Sequence, residues 1–191
     1  MFENNFNQNL LVQTKLQAEN IHARQYNTAV NYFRSAIFDG WISRISRRIL
    51  GHQQWLYDLV SLKPQIALQG GSYSGIKVVG INNIIGTEGR AANFDIDFYP
   101  VSEESRGRWV GMAIAYLARI PLPPVELIQI GDRYFVRDGH HRISVARAFG
   151  QTAVDAEVII WQAHPPFPWQ KCPQMQPAPV DQNIPAMISE Q

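Results

Sequence analysis

Apolar residues recur at spacings of three and four from Tyr26 through Val30, Phe33, Ile37, Trp41 and Ile45 to Ile49. That period predicts one face of a helix. Gly51 stands where a C′ glycine would end it. Trp55, Leu56, Leu59 and Val60 predict a short second helix that stops before Pro64. An apolar stripe this long is costly in water. Phe33, Ile37, Trp41 and Ile45 are therefore expected to be largely buried, against the rest of the chain or across a homodimer formed through these helices.

The texture changes after Gly70-Gly71-Ser72-Tyr73-Ser74-Gly75, which reads as a flexible loop. Residues 76–85 read as a strand and turn, and Gly86-Thr87-Glu88-Gly89-Arg90 as a loop. Ser102 can cap a helix with Glu103 and Glu104 in its first turn. Trp109, Met112, Ala113, Tyr116 and Leu117 mark its buried face, and Pro121, Pro123 and Pro124 end it. Residues 125–130 predict a strand, Gly131-Asp132 a tight turn, and residues 134–137 the hairpin partner. Asp138-Gly139 ends that strand, and a short helix over 141–149 is closed by Gly150. Val154, Ala156, Val158 and Ile160 alternate with Asp155 and Glu157, which predicts a last strand. Strand, helix, hairpin, helix and strand make an α+β domain with a small mixed sheet over 70–162. A helical extension over 1–65 precedes it, and a Pro/Gln-rich tail over 163–191 follows.

Composition narrows this only slightly. With 46% apolar residues among 191, a real core is expected. A net charge of +1 does not call for a polyanion partner. The single cysteine, Cys172, excludes an internal disulfide framework and a cysteine-based zinc site. The N-terminus lacks the basic segment of a signal peptide, and no apolar run is long enough to span a bilayer. A cytoplasmic protein with no membrane association is expected. Arg44, Arg47 and Arg48 cluster on the first long helix, where they could touch a nucleic-acid backbone or simply face solvent.

The chemistry concentrates in Tyr134-Phe135-Val136-Arg137-Asp138-Gly139-His140-His141-Arg142. A strand delivers the backbone to a glycine turn and a helix starts at once. The first N–H groups of a helix lack internal partners and, with the macrodipole, attract an anion. Gly139 would let a ligand approach the backbone, and Arg142 offers a forked donor suited to phosphate. His140 and His141 add donors. Arg142 could instead pair with Asp138 or Glu88, which would leave an ordinary turn. Joint ligation of one metal ion by His140 and His141 is awkward, because helix neighbours point about 100° apart.

The run Pro123-Pro124-Val125-Glu126-Leu127-Ile128, then Gly131 to Val136, then Asp138-Gly139-His140-His141-Arg142 with Ala146, resembles the ParB N-terminal domain and sulfiredoxin superfamily. The resemblance covers residues 76–161. It implies a ParB/sulfiredoxin-like fold and a shared phosphate-binding turn for ATP, ADP or CTP, with Mg²⁺ neutralising charge. By the same resemblance Glu88 becomes a candidate general base or magnesium contact, and Arg90 a second phosphate contact. Slow phosphotransfer or hydrolysis is then within reach, unless Glu88 and Arg90 merely pair with each other. A nucleic-acid-binding or nuclease-type ParB-like protein is the alternative. Sulfiredoxin carries a cysteine where His140 stands, so sulfinic acid reduction is not expected. Nor is site-specific DNA loading, since a Pro-rich tail follows where partitioning proteins carry a helix-turn-helix.

Overall fold

The computed structural model describes residues 2–89, 92–165 and 167–170, with side chains from residue 13 onward. Arg90, Cys172 and most of the Pro/Gln-rich tail lie outside the described residues. The chain is α+β, built on one mixed six-stranded sheet in the order β1-β3-β5-β4-β6-β2. The strands are β1 (Tyr57–Asp58), β2 (Gln69–Gly80), β3 (Ile84–Thr87), β4 (Val125–Ile130), β5 (Arg133–Asp138) and β6 (Ala153–Gln162). The helices are α1 (Phe2–Ile49), α2 (Leu59–Leu62), α3 (Arg106–Leu117) and α4 (His140–Ala148). Strands β1, β3 and β5 run parallel, and β4 pairs antiparallel with β5 and parallel with β6.

The two faces of the sheet follow from strand alternation. Leu127, Val136, Ala156 and Val158 pack with Ile143 of α4 and with Phe94 and Phe98 of the 92–101 segment. Ile128, Ile130 and Phe135 point the other way, onto Leu59 and Leu62 of α2 and Phe167. A third cluster joins α1, α3 and α4 around Phe33 and Trp109, both fully buried. Trp109 donates its indole N–H to Ser144 Oγ at 2.9 Å, which satisfies the polar atom that burial would otherwise strand.

The hairpin, the helix after it and the last strand stand where the alternation put them, and Gly139 lies at the junction of β5 and α4. Other expectations change. Gly70 to Gly75 is not a loop but part of β2, paired with β6 through two register shifts, Gly75 taking φ +82°. Bulges give the glycines a place in a strand that composition alone argued against. The short second helix is present and stops before Pro64, but it starts later than expected: Tyr57 and Asp58 join the edge of the sheet, and α2 is one turn capped by the Asp58 carboxylate. The segment expected as a purely helical extension thus contributes a strand. Ser102 makes no side-chain cap, and a short 3₁₀ turn leads into α3.

The face that α1 buries is also rotated from the expected one. Ala29, Val30, Phe33 and Ala36 are buried, Ile37 is half-buried, and Trp41 and Ile45 remain 52% and 40% exposed. The reason is Gly40. A Cβ there would lie 2.6 Å from Tyr99 Cβ, so the missing side chain lets the 92–101 segment press onto α1. That contact turns Phe38, Trp41, Ile42 and Ile45 outward.

Candidate functional site

Strand β5 passes into α4 through Gly139 at φ +103°, and α4 opens without a side-chain cap. The space a Cβ of residue 139 would fill is occupied by Val125, whose Cγ1 would lie 2.6 Å away, and by Arg142 Nε at 3.2 Å. The glycine therefore serves close packing of β4 on the turn and lets the Arg142 side chain fold back. Arg142 donates Nη1–H groups to the carbonyl oxygens of Pro123 and Pro124 and an Nη2–H to Asp138. A guanidinium has five N–H donors. Nε–H and one Nη2–H are left without a partner among the described residues, beside the first turn of α4.

His140 is buried and its Nε2 lies 2.6 Å from Thr87 Oγ1, which fastens the helix start to the end of β3. Phe94 stacks on the His140 ring at 6.0 Å and meets His141 edge-on at 5.2 Å. The structure thus brings Asp138, Gly139, His140, His141 and Arg142 together on the α4 side of the sheet. Glu88 lies with Lys63 and Arg137, on the side of α2. Its Oε1 takes Lys63 Nζ at 2.8 Å and its Oε2 faces Arg137 Nε at 3.7 Å. Arg137 points away from its neighbour Asp138, as residues in a strand alternate.

The 92–101 segment that covers the histidines is held by ions. Asp97 accepts from Arg47 Nε at 2.8 Å and Nη2 at 2.9 Å, from Arg147 Nη2 at 3.1 Å and from Ser43 Oγ at 2.8 Å. Asp95 accepts the amides of Asp97 and Tyr99 on one oxygen and Arg44 Nη1, at 3.0 Å, on the other. Two arginines of the expected basic cluster are therefore bound internally. Burial lifts the Asp95 carboxyl from its ordinary value to about 6. The Tyr99 amide and Arg44 pull the other way, and Asp97 adds to the lift.

The pH consequence has a definite sign. A carboxyl whose folded pKa lies above its unfolded one binds its proton more tightly in the fold. This contribution to stability is complete below about pH 4 and lost as pH rises through about 6. Between pH 7 and pH 4 the wild type should gain about 2–3 kcal/mol on an Asp95→Asn variant in denaturant unfolding. Parallel stability curves for the two proteins would show that Asp95 does not titrate in this range.

Sequence reasoning missed Thr87, Lys63, Phe94 and the two aspartates. The usable signal was Phe94-Asp95-Ile96-Asp97-Phe98, acids between aromatics, opposite arginines in a chain of near-zero net charge. No group of three or more His, Cys, Asp or Glu side chains converges on a metal-sized site among the described residues. Asp138 and Glu88 each face cations, so the carboxylates do not fit a Mg²⁺ site. No described helix is long and apolar enough to cross a membrane. Comparison with known proteins finds no matching family model, no matching curated protein and no matching solved structure.

Proposed function

We propose that the chain is a ParB/sulfiredoxin-like domain that binds a phosphorylated ligand, a nucleotide such as ATP, ADP or CTP, at the β5–α4 turn. The observation that carries this reading is the uncapped start of α4 with the Arg142 guanidinium beside it. Helix N-termini and arginine forks both favour phosphate, and here they share one turn. The carbonyls of Pro123 and Pro124 and the Asp138 carboxylate hold the guanidinium in place, and its two remaining N–H groups are the donors offered to the ligand. His141 and the backbone of the first turn complete the cradle.

The reading is one of binding rather than turnover. Both Glu88 oxygens are engaged by Lys63 and Arg137, so no proton-transfer step is assigned to it. The alternative, a nucleic-acid surface along α1, has less support, because Arg44 and Arg47 are spent on Asp95 and Asp97.

Calorimetric titration with ATP, ADP and CTP, with and without Mg²⁺, tests the proposal. Saturable binding is expected, weakened about ten- to hundredfold by Arg142→Gln, as for loss of one charge-assisted contact to phosphate. Arg147 cannot serve as the charge control, since it holds Asp97. Arg108 on the exposed side of α3 can, and Arg108→Gln should leave affinity unchanged. Absence of saturable binding to every nucleotide by the unaltered protein would overturn the reading.

A further inference from the structure

Helices α1, α3 and α4 all end in the same hydrogen-bonded motif. The C″ amide reaches back to the C3 carbonyl, and the C′ amide to the C2 carbonyl. In α1 these bonds are His52 to Arg47 and Gly51 to Arg48; in α4 they are Gln151 to Ala146 and Gly150 to Arg147. In α3 they are Ile120 to Ala115 and Arg119 to Tyr116. The C′ residue must take positive φ, and the first two helices use glycine, Gly51 at +70° and Gly150 at +78°. Helix α3 places Arg119 there, at +56°. An L side chain in this conformation is strained, so the fold alone would choose glycine at residue 119.

The Arg119 side chain lines a cavity of about 580 Å³ between the end of α3, α4 and the start of β6. Its apolar walls include Leu117, Ile120, Val145 and Val154, and Gln151 and Asp155 line it as well. Arg142 also lines it, with its guanidinium held by Asp138 and the carbonyls of Pro123 and Pro124. Arg119 has no ion-pair partner among the described residues. Asp138, Gly139, His140 and His141 do not line the cavity, but Arg142 does, so the cavity adjoins the β5–α4 turn through that one side chain. A volume in the range of small-molecule sites, a lining part apolar and part polar, and a guanidinium with no ion-pair partner among the described residues together define a ligand chemistry.

We infer that this cavity is a binding site for a small amphipathic anion, an apolar body carrying one carboxylate or phosphate monoester. Arg119 holds the anionic group and Leu117, Ile120 and Val154 cover the body. The strain at residue 119 is retained because the arginine recognises the ligand.

Octanoate and octyl phosphate are suitable probes, with octanol as the uncharged control, titrated into the full chain by calorimetry and by the thermal unfolding midpoint. At least one of the two anions should bind saturably, and at least tenfold more tightly than octanol. Whichever anion binds more tightly identifies the head group. Arg119→Gly should raise the midpoint of the ligand-free protein, because glycine suits the motif, and should weaken anion binding at least tenfold. The inference is overturned by no saturable response to either anion, by octanol binding equally well, by unchanged binding in Arg119→Gly, or by a lower ligand-free midpoint in that variant. ATP and CTP binding at the β5–α4 turn should be the same in Arg119→Gly and wild type, which separates failure of this site from failure of that one.

Discussion

Gly139→Val is expected to cost about 2–5 kcal/mol of folding stability, from about 1–2 for a side chain at positive φ and about 1–3 for overpacking. The overpacking has a named source. The new Cβ would lie 2.6 Å from Val125 Cγ1 and 2.8 Å from Val125 Cβ, on the first residue of β4. Strand β4 is central, bonded to both β5 and β6, so it cannot retreat without opening the sheet. Gly150→Ala provides the comparison. Residue 150 also has positive φ, but a Cβ there meets nothing within 4 Å, so the cost should be the conformational part alone, about 1–2 kcal/mol. Urea unfolding of the three proteins measures the difference, and equal losses would mean that contact with Val125 is unimportant. At the lower end of the ordinary range of stability, about 5 kcal/mol, the valine variant would be close to unfolding at physiological temperature. Any loss of ligand binding in it must therefore be corrected for the folded fraction.

Asp97→Ala should cost about 3 kcal/mol, the lower end of the range for removing one partner of a buried ion pair. The lower end applies because the side chains of Asp97 and Arg47 are 14% and 31% exposed, and water recovers part of the loss. The variant leaves Arg47 and Arg147 facing each other without the carboxylate between them. Asp97→Asn keeps an acceptor and should cost less. Local opening is the more specific readout. Amides in 92–101 should exchange faster in Asp97→Ala, while those in β4 and β6, away from the released segment, change only with global stability. Unaltered exchange in 92–101 would show that Phe94 and Phe98 hold the segment without the ions.

What the sequence revealed tracks how local each determinant is. The hairpin over β4 and β5, the Gly139 junction and α4 rest on neighbours in the chain: alternation, a Gly-Asp turn, a glycine at positive φ. They could be read directly. Strand β2 could not, because what makes Gly70 to Gly75 a strand is its pairing with β6, far along the chain. The outward turn of Trp41 and Ile45 depends on the 92–101 segment docking at Gly40, and the anchoring of that segment pairs residues 50 positions apart. Within the candidate site, the residues of the turn were identifiable from strand, glycine and helix. Their partners were not: Val125 in front of Gly139, Thr87 on His140 and the proline carbonyls on Arg142 come from other strands and loops.

Helix α1 has a consequence for how the protein moves through solution. It is 48 residues long, about 72 Å at 1.5 Å per residue, whereas its buried residues fall between Ala29 and Gly40. The part before Ala29 is a rod about 40 Å long, and over residues 13–28 nearly every side chain is exposed. A particle of this shape has a larger frictional coefficient than a sphere of its 21.7 kDa mass. A single copy would elute early from a sizing column, so its association state has to be measured by a method that weighs the particle, such as light scattering or sedimentation equilibrium.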